Sequence, residues 1–266
     1  MKKYELLTES MINYYGITLF RIRALTTFTT MTGYKVSAGD LGGWIEKESN
    51  LSQDGRAWVS DDAWVYGNAR VYDNAEVYGN ARVYGSAIVF NNAWVSDGAL
   101  VFGAAEVFGD AWVYDKAMVF DNARVCDKAW VFGNAMIFGD ARVYGEPRVY
   151  GDARVFGNAR VCGIAWAYGN ARVYGNTRVY VEVELCGDAD VFSPSHIFNV
   201  TPIGKNTLPC TFFRTKDESI GVVFESKYHS LEAFCTLISG WDSKYKAHAE
   251  AAVKTAEAYI GLTVRE

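Results

Sequence analysis

Residues 69–92 read Ala69-Arg70-Val71-Tyr72-Asp73-Asn74, Ala75-Glu76-Val77-Tyr78-Gly79-Asn80, Ala81-Arg82-Val83-Tyr84-Gly85-Ser86 and Ala87-Ile88-Val89-Phe90-Asn91-Asn92. The same six-residue sentence extends in both directions. Valine recurs in step from Val59 to Val191, with Ile137, Ala167 and Leu185 standing in for it, and the register covers 132 residues, or 22 steps of six, without a slip. Alanine stands two positions before nearly every one of these residues; Pro147, Thr177 and Val183 are the main departures. Each unit supplies a four-residue strand and a two-residue corner. Strand side chains alternate faces, so alanine and valine point one way and the residues between and after them the other. The corners are mostly Gly, Asp and Asn, which tolerate left-handed backbone. A strict period of six does not place apolar residues on one face of a 3.6-residue helix. Strands this short bury little in an ordinary sandwich. Stacked as identical coils, each inward valine meets valines above and below.

A second period sets the number of sides. Tryptophan precedes the valine at 58, 94, 112, 130 and 166, spacings that are all multiples of eighteen, and only Trp64 is out of phase. Eighteen residues are three units, so one coil is a triangle. The expected fold class is therefore an all-β solenoid, a three-sided parallel β-helix over residues 57–192, with an N-terminal β cap over 1–56 and a small C-terminal α+β module over 193–266. At ~4.8 Å per coil, seven to eight coils would stand roughly 35 Å tall.

Half of the 266 residues are hydrophobic, enough for a substantial core. Lys and Arg total 26 against 31 Asp and Glu, a net charge of −5 that advertises neither a nucleic acid nor a membrane. No apolar run approaches the ~20 residues of a membrane helix, and the start, MKKYELLTES, has no apolar core behind its lysines, so no secretory signal is expected. The five cysteines (Cys126, Cys162, Cys186, Cys210, Cys235) form no close pair, which points to a reducing compartment and a cytoplasmic address. Cys126 and Cys162 lie two coils apart, too far for a disulfide. With no CxxC and only three histidines (His196, His229, His248), neither a metal site nor a cofactor is expected.

The unit Val-Tyr-Gly-Asn-Ala-Arg resembles the hexapeptide repeat, in which an aliphatic residue is followed four places later by a small one, as Val71 is by Ala75 and Val77 by Ala81. That resemblance implies a left-handed coil, an exception to the usual right-handed crossover. The segment Leu41-Gly42-Gly43-Trp44-Ile45-Glu46, with Asn50-Leu51-Ser52-Gln53 after it, is similar to the lead-in of YdcK-like β-helix proteins. The tail from Thr211-Phe212-Phe213-Arg214-Thr215-Lys216-Asp217 to a helix ending near Ile260 resembles a C-terminal module of phage and prophage proteins. Hexapeptide acyltransferases place a catalytic histidine near a subunit contact. Here residues 1–195 hold no histidine, no loop interrupts the coils, and aromatics (Tyr66, Tyr78, Phe102, Phe120, Phe138) stand where those enzymes carry small or acidic residues.

At the N-terminus, residues 17–25 read as a strand with which residues 33–36 are expected to pair, and residues 39–44 as the turn into the first coil. Beyond Phe192, segments 211–213 and 220–224 read as a hairpin around residues 216–219. Ser230 is the N-cap of a helix over 231–238. A second, alanine-rich helix over 243–260 should present Tyr245, Ala249, Ala252, Ala256 and Tyr259 on one face.

Sorting the outward residue before each valine by side gives three stripes. The first carries Trp58, Glu76, Trp94, Trp112, Trp130, Arg148, Trp166 and Glu184, with Tyr114, Phe132, Tyr150 and Tyr168 beside it. An apolar strip of this length marks a partner or self-association surface, the competing role being aromatic bracing from coil to coil. The second carries Leu100, Met118 and Met136, which with Phe120 could extend that surface. The third ends in Arg124, Arg142, Arg160 and Arg178, a candidate anion-binding ribbon. Its competing role is a solvated face neutralised by corner acids such as Asp127, Asp140 and Asp152. Residues 57–192 hold 11 Lys and Arg against 17 Asp and Glu, which argues against a nucleic-acid partner. No phosphate loop and no nucleophile–base pair is visible. The expected function is thus a non-catalytic scaffold or protein-binding protein of phage or prophage type, a homo-oligomer able to antagonise a host protein. A diverged acyltransferase is the first alternative and a nucleic-acid binder the second.

Overall fold

The computed structural model describes residues 2–261. Within it every six-residue unit forms one short strand and one turn, and three units make a rung. The first side is an eight-stranded parallel sheet and the third a seven-stranded one. The second side is continuous with the N-terminal strands in an eleven-stranded sheet. Pairing is in register at an offset of eighteen: Trp94 faces Trp112, Leu100 faces Met118, and Arg124 faces Arg142. The three stripes read from the sequence are the three sheets.

The ladder is regular because the backbone repeats. The Trp112 N–H donates to Ala129 O at 2.9 Å, Tyr114 N–H to Val131 O at 3.1 Å and Lys116 N–H to Gly133 O at 2.9 Å. Inward alanines and valines of the rungs are almost all wholly buried in one continuous core. Each valine so placed contributes ~1.5–3 kcal/mol of burial. At the corners φ is positive, as at Asp121 (58°) and Gly139 (68°). Corner side chains ladder as well: Asp121 Oδ2 accepts from Gly139 N–H at 3.1 Å, and Asn134 Nδ2 donates to Asp152 Oδ1 at 3.0 Å.

At the N-terminus the strand Thr18–Ala24 is antiparallel to both Tyr4–Ile12 and Leu41–Ile45. The sequence reading missed Tyr4–Ile12. It also paired residues 33–36 with 17–25, whereas Lys35–Val36 pairs with Phe28–Thr29 in a separate two-stranded hairpin. Residues 17–25 already have a neighbour on each edge, and the tight turn over 30–34 favours the local partner. Parallel pairing begins ahead of the repeat: Trp44 faces Trp64, and Leu51 bridges Val71. Gly42 and Gly43 make the switch possible. A Cβ on Gly42 would lie 2.6 Å from Val59 O and from Ile22 Cγ1, and one on Gly43 2.7 Å from Ala63 O.

Beyond the last rung, Ile197–Ile203, Leu208–Arg214, Ile220–Phe224 and Lys227–Ser230 form a four-stranded antiparallel sheet containing the expected hairpin. One face, with Phe213 and Val223, closes the open end of the solenoid core. The other, with Phe212, Val222 and Phe224, packs on helices α1 (Leu231–Ser239) and α2 (Ser243–Gly261). Ser230 Oγ caps α1 by accepting from Ala233 N–H at 3.1 Å. The buried face of α2 is Ala249, Ala252, Val253, Ala256 and Ile260. Tyr245 and Tyr259 are not in it, contrary to the sequence reading: Tyr259 is 47% exposed, because apolar Val253 and Ile260 take the core. Residues 262–266 of the C-terminal module lie outside the described residues.

Candidate interaction surface

On the first side the rungs place Trp94, Trp112 and Trp130 in a stack, with ring centroids 4.2 and 5.0 Å apart. The column continues without a ring at Arg148. Its guanidinium sits 5.1 Å from the Trp130 ring and 5.2 Å from the Trp166 ring, a cation sandwiched between two indoles. Beside it run Tyr114, Phe132, Tyr150 and Tyr168, with centroids 4.8–4.9 Å apart and planes within 5° of parallel. Trp94, Trp112, Trp130 and Trp166 thus lie beside Tyr114, Phe132, Tyr150 and Tyr168 on one side of the solenoid. Stacking covers their faces and leaves their edges to solvent, so each is half-buried. Burial among the rings raises the Tyr114 phenol above its usual range; Asp115 and Asp97 raise it further, and Arg148 opposes them.

The sequence reading did not see that the longest ladder is on the second side. Tyr66, Tyr84, Phe102, Phe120, Phe138, Phe156, Tyr174 and Phe192 stack at 4.7–5.3 Å along its whole height. Half-buried Leu100, Met118 and Met136 run alongside. Grouped by side at a spacing of eighteen, the residues that follow the inward valines form this column. Trp64, out of phase in the sequence, also belongs here, under the Arg82 guanidinium at 4.3 Å.

On the third side Arg124, Arg142, Arg160 and Arg178 stand in register on successive rungs. The corner acids expected to neutralise them bond elsewhere. Asp127 Oδ2 accepts from Gly145 N–H at 2.9 Å, and the Oδ1 atoms of Asp140 and Asp152 accept from Asn122 and Asn134. Corner side chains run parallel to the solenoid axis and so meet the next corner rather than the adjacent face. Arg124 is paired with Glu106, its Nε 2.7 Å from Oε2. Among the described residues, no ion pair within 4.0 Å involves Arg142, Arg160 or Arg178.

The remaining sequence candidates are placed structurally. His196 is buried at the end of a short 3-10 turn, its ring edge-on to Phe192 at 4.2 Å, and burial together with Arg214 lowers its pKa. Cys126 and Cys162 are free and flank Tyr144 in the third-side column; burial pushes the Cys126 thiol up to about 11. No helix among the described residues is long and apolar enough to cross a membrane.

The first-side ring column lacks a ring at Cys186, its last position, and is interrupted at two serines. Ser60 and Ser96 occupy the positions one rung either side of Tyr78, and each opens a cavity, of ≈ 240 Å³ at Ser60 and ≈ 230 Å³ at Ser96. Trp94 lines both. Thr32 and Tyr34 of the N-terminal hairpin close the first, and Trp112 and Tyr114 bound the second.

Compared with known protein families, residues 75–90 and 148–163 match the model of the YdcK beta solenoid repeat. Both stretches lie within the parallel rungs, and the likeness is to the repeat. No curated protein matches the chain.

Proposed function

We propose that the protein is a non-catalytic, protein-binding scaffold of the hexapeptide-repeat class and of phage or prophage type, working in the cytoplasm through its aromatic first side and its C-terminal module. The observation that carries the reading is the rigid double column of Trp94, Trp112, Trp130 and Trp166 beside Tyr114, Phe132, Tyr150 and Tyr168. Its rings are already ordered by stacking, so a partner would bury them at little entropic cost, and aromatic anchors dominate the energetics of protein interfaces. A second copy of the chain is the first candidate occupant and a host protein the second.

Light scattering on the wild type and on a Trp94→Ser, Trp112→Ser, Trp130→Ser variant tests this. The reading expects an oligomeric wild type and a folded, monomeric variant. A wild-type monomer whose captured partners are the same as those of the variant reduces the strip to internal bracing and ends the proposal. The guanidinia of Arg142, Arg160 and Arg178, which have no counter-ion within 4.0 Å among the described residues, support a second reading, contact with an anionic polymer. Its signature is an affinity that falls steeply with added salt.

A further inference from the structure

The two interruptions of the first-side ring column share a sequence. Ala-Trp-Val-Ser-Asp occurs at 57–61 and again at 93–97, two rungs apart, so the missing ring, the tryptophan before it and the acid after it recur as a unit. At Ser96 the vacancy is bounded along the axis by Tyr78 and Tyr114, which stand on the rungs either side. Two rungs span about 9.6 Å, the room taken by one planar group between two stacked rings. The column beside it shows what fills such a place when the chain supplies its own filler: Arg148 between Trp130 and Trp166, at 5.1 and 5.2 Å. Among the described residues, no side chain fills the vacancy at Ser96.

The acid at its rim is turned differently from its counterparts. Asp61, Asp73, Asp115, Asp121 and Asp127 occupy the same left-handed corner position, and each accepts from the backbone N–H of the corner one rung on, at 2.9–3.2 Å. Asp97, with φ of 56°, instead accepts from its own neighbour, Ser96 Oγ, at 3.0 Å, which holds the carboxylate at the cavity. The twin cavity at Ser60 lacks this arrangement, since Asp61 is bonded to Gly79 and Glu76 accepts from Thr32 N–H and Oγ1.

We propose that the vacancy at Ser96 receives an arginine side chain of a protein partner, its guanidinium stacked between Tyr78 and Tyr114 and ion-paired to Asp97. A guanidinium is planar, stacks on aromatic faces and is weakly hydrated; an ammonium has the charge without the plane. The inference rests on the reading of the first side as a protein-binding face and names the chemistry its partner must present at one point.

The test is a titration of the full-length protein, ¹⁵N-labelled at tryptophan and held at low salt, with arginine, lysine and phenylalanine blocked as N-acetyl amides. The indole N–H signals of Trp94 and Trp112 report. The expected result is a saturable shift with arginine, at least several-fold tighter than with lysine. Ser96→Phe, which supplies the missing ring, abolishes it. Asp97→Asn, which keeps the shape and removes the charge, weakens it about five-fold, as befits a partly exposed ion pair. Equal response to lysine and arginine, tighter binding of the phenylalanine amide, or an arginine response that survives in Ser96→Phe each overturns the proposal. Should Ser96→Phe not fold, the arginine-to-lysine ratio and Asp97→Asn decide. The titration uses no partner, so its failure leaves the first-side reading standing, whereas failure of the triple-tryptophan experiment leaves the titration untouched.

Discussion

Val181 is the one β-branched residue in a corner column otherwise made of Asp73, Asn91, Gly109, Asp127, Gly145 and Gly163. Its φ is 62°, a region where a branched Cβ crowds the backbone. Its side chain is 55% exposed and so loses little by removal. Val181→Gly should therefore raise the stability by about 1 kcal/mol, visible as a higher denaturant midpoint with unchanged slope. The reverse change two column members away, Gly145→Val at φ of 90° with its Cβ 2.9 Å from Gly163 N, should lower it by at least as much. At this scale the sequence is legible wherever the backbone dictates the residue, as at the inward valines and the corner glycines. It is less so where a small residue marks a space, because Ser96 looks like a conservative surface residue until the rings above and below it are in place.

The element of this fold is the ladder, and its tyrosines titrate as part of it. Burial, with lesser contributions from Tyr84 and Tyr15 and opposition from Arg82, pushes the Tyr66 phenol up to about 12, and burial raises Tyr84 and Tyr174 as well. A phenol whose ionisation is held back in the folded state and not in the unfolded one stabilises the fold in full below pH 10. That contribution shrinks as pH climbs from 10 towards 12. Ultraviolet titration should show these phenols ionising late, and thermal unfolding followed across the same window should show stability falling. A melting temperature flat from pH 10 to 12 would mean that the ladder phenols are solvated like free tyrosine. The first-side ladder was visible in the sequence because tryptophan is rare enough to betray an eighteen-residue period. The second-side ladder has no such rare marker, since Tyr and Phe follow the valine on all three sides and only the eighteen-residue spacing separates them.

For the whole molecule the question is what stops the solenoid from continuing into another copy. An uncovered last rung would offer unpaired strand edges. The C-terminal sheet covers it through an Ala189–Thr215 bridge, a Lys216 N–H to Asp188 O bond of 2.9 Å, and a buried ion pair in which Arg214 Nη1 lies 3.0 Å from Asp190 Oδ2. Removing one partner of such a pair leaves an uncompensated charge. Asp190→Ala should cost about 3 kcal/mol, and the double change Asp190→Leu with Arg214→Met should recover most of it. Denaturant unfolding of the three proteins checks this. Concentration-dependent assembly of the single variant would show in addition that the cap, once loosened, exposes the end of the stack.

The sequence carries the repeat, its three sides, the register of the rungs and the identity of each stripe, because an eighteen-residue period laid over one of six, with an inward aliphatic residue in nearly every unit, admits one stacking and side chains alternate strictly along a strand. It also determined the first helix and its cap, and the C-terminal hairpin. How the ends are closed was left to the tertiary structure, since the pairing of strands such as Tyr4–Ile12 and Thr18–Ala24 depends on which edges remain open once the coil is built. It alone decided the fate of the charges. Corner acids lie parallel to the axis and meet the next corner, which leaves the arginines of the third side without them and turns Asp97 towards an empty place in a ring stack. Such directions are set by side-chain geometry around a closed triangle, and spacing along the chain does not carry them.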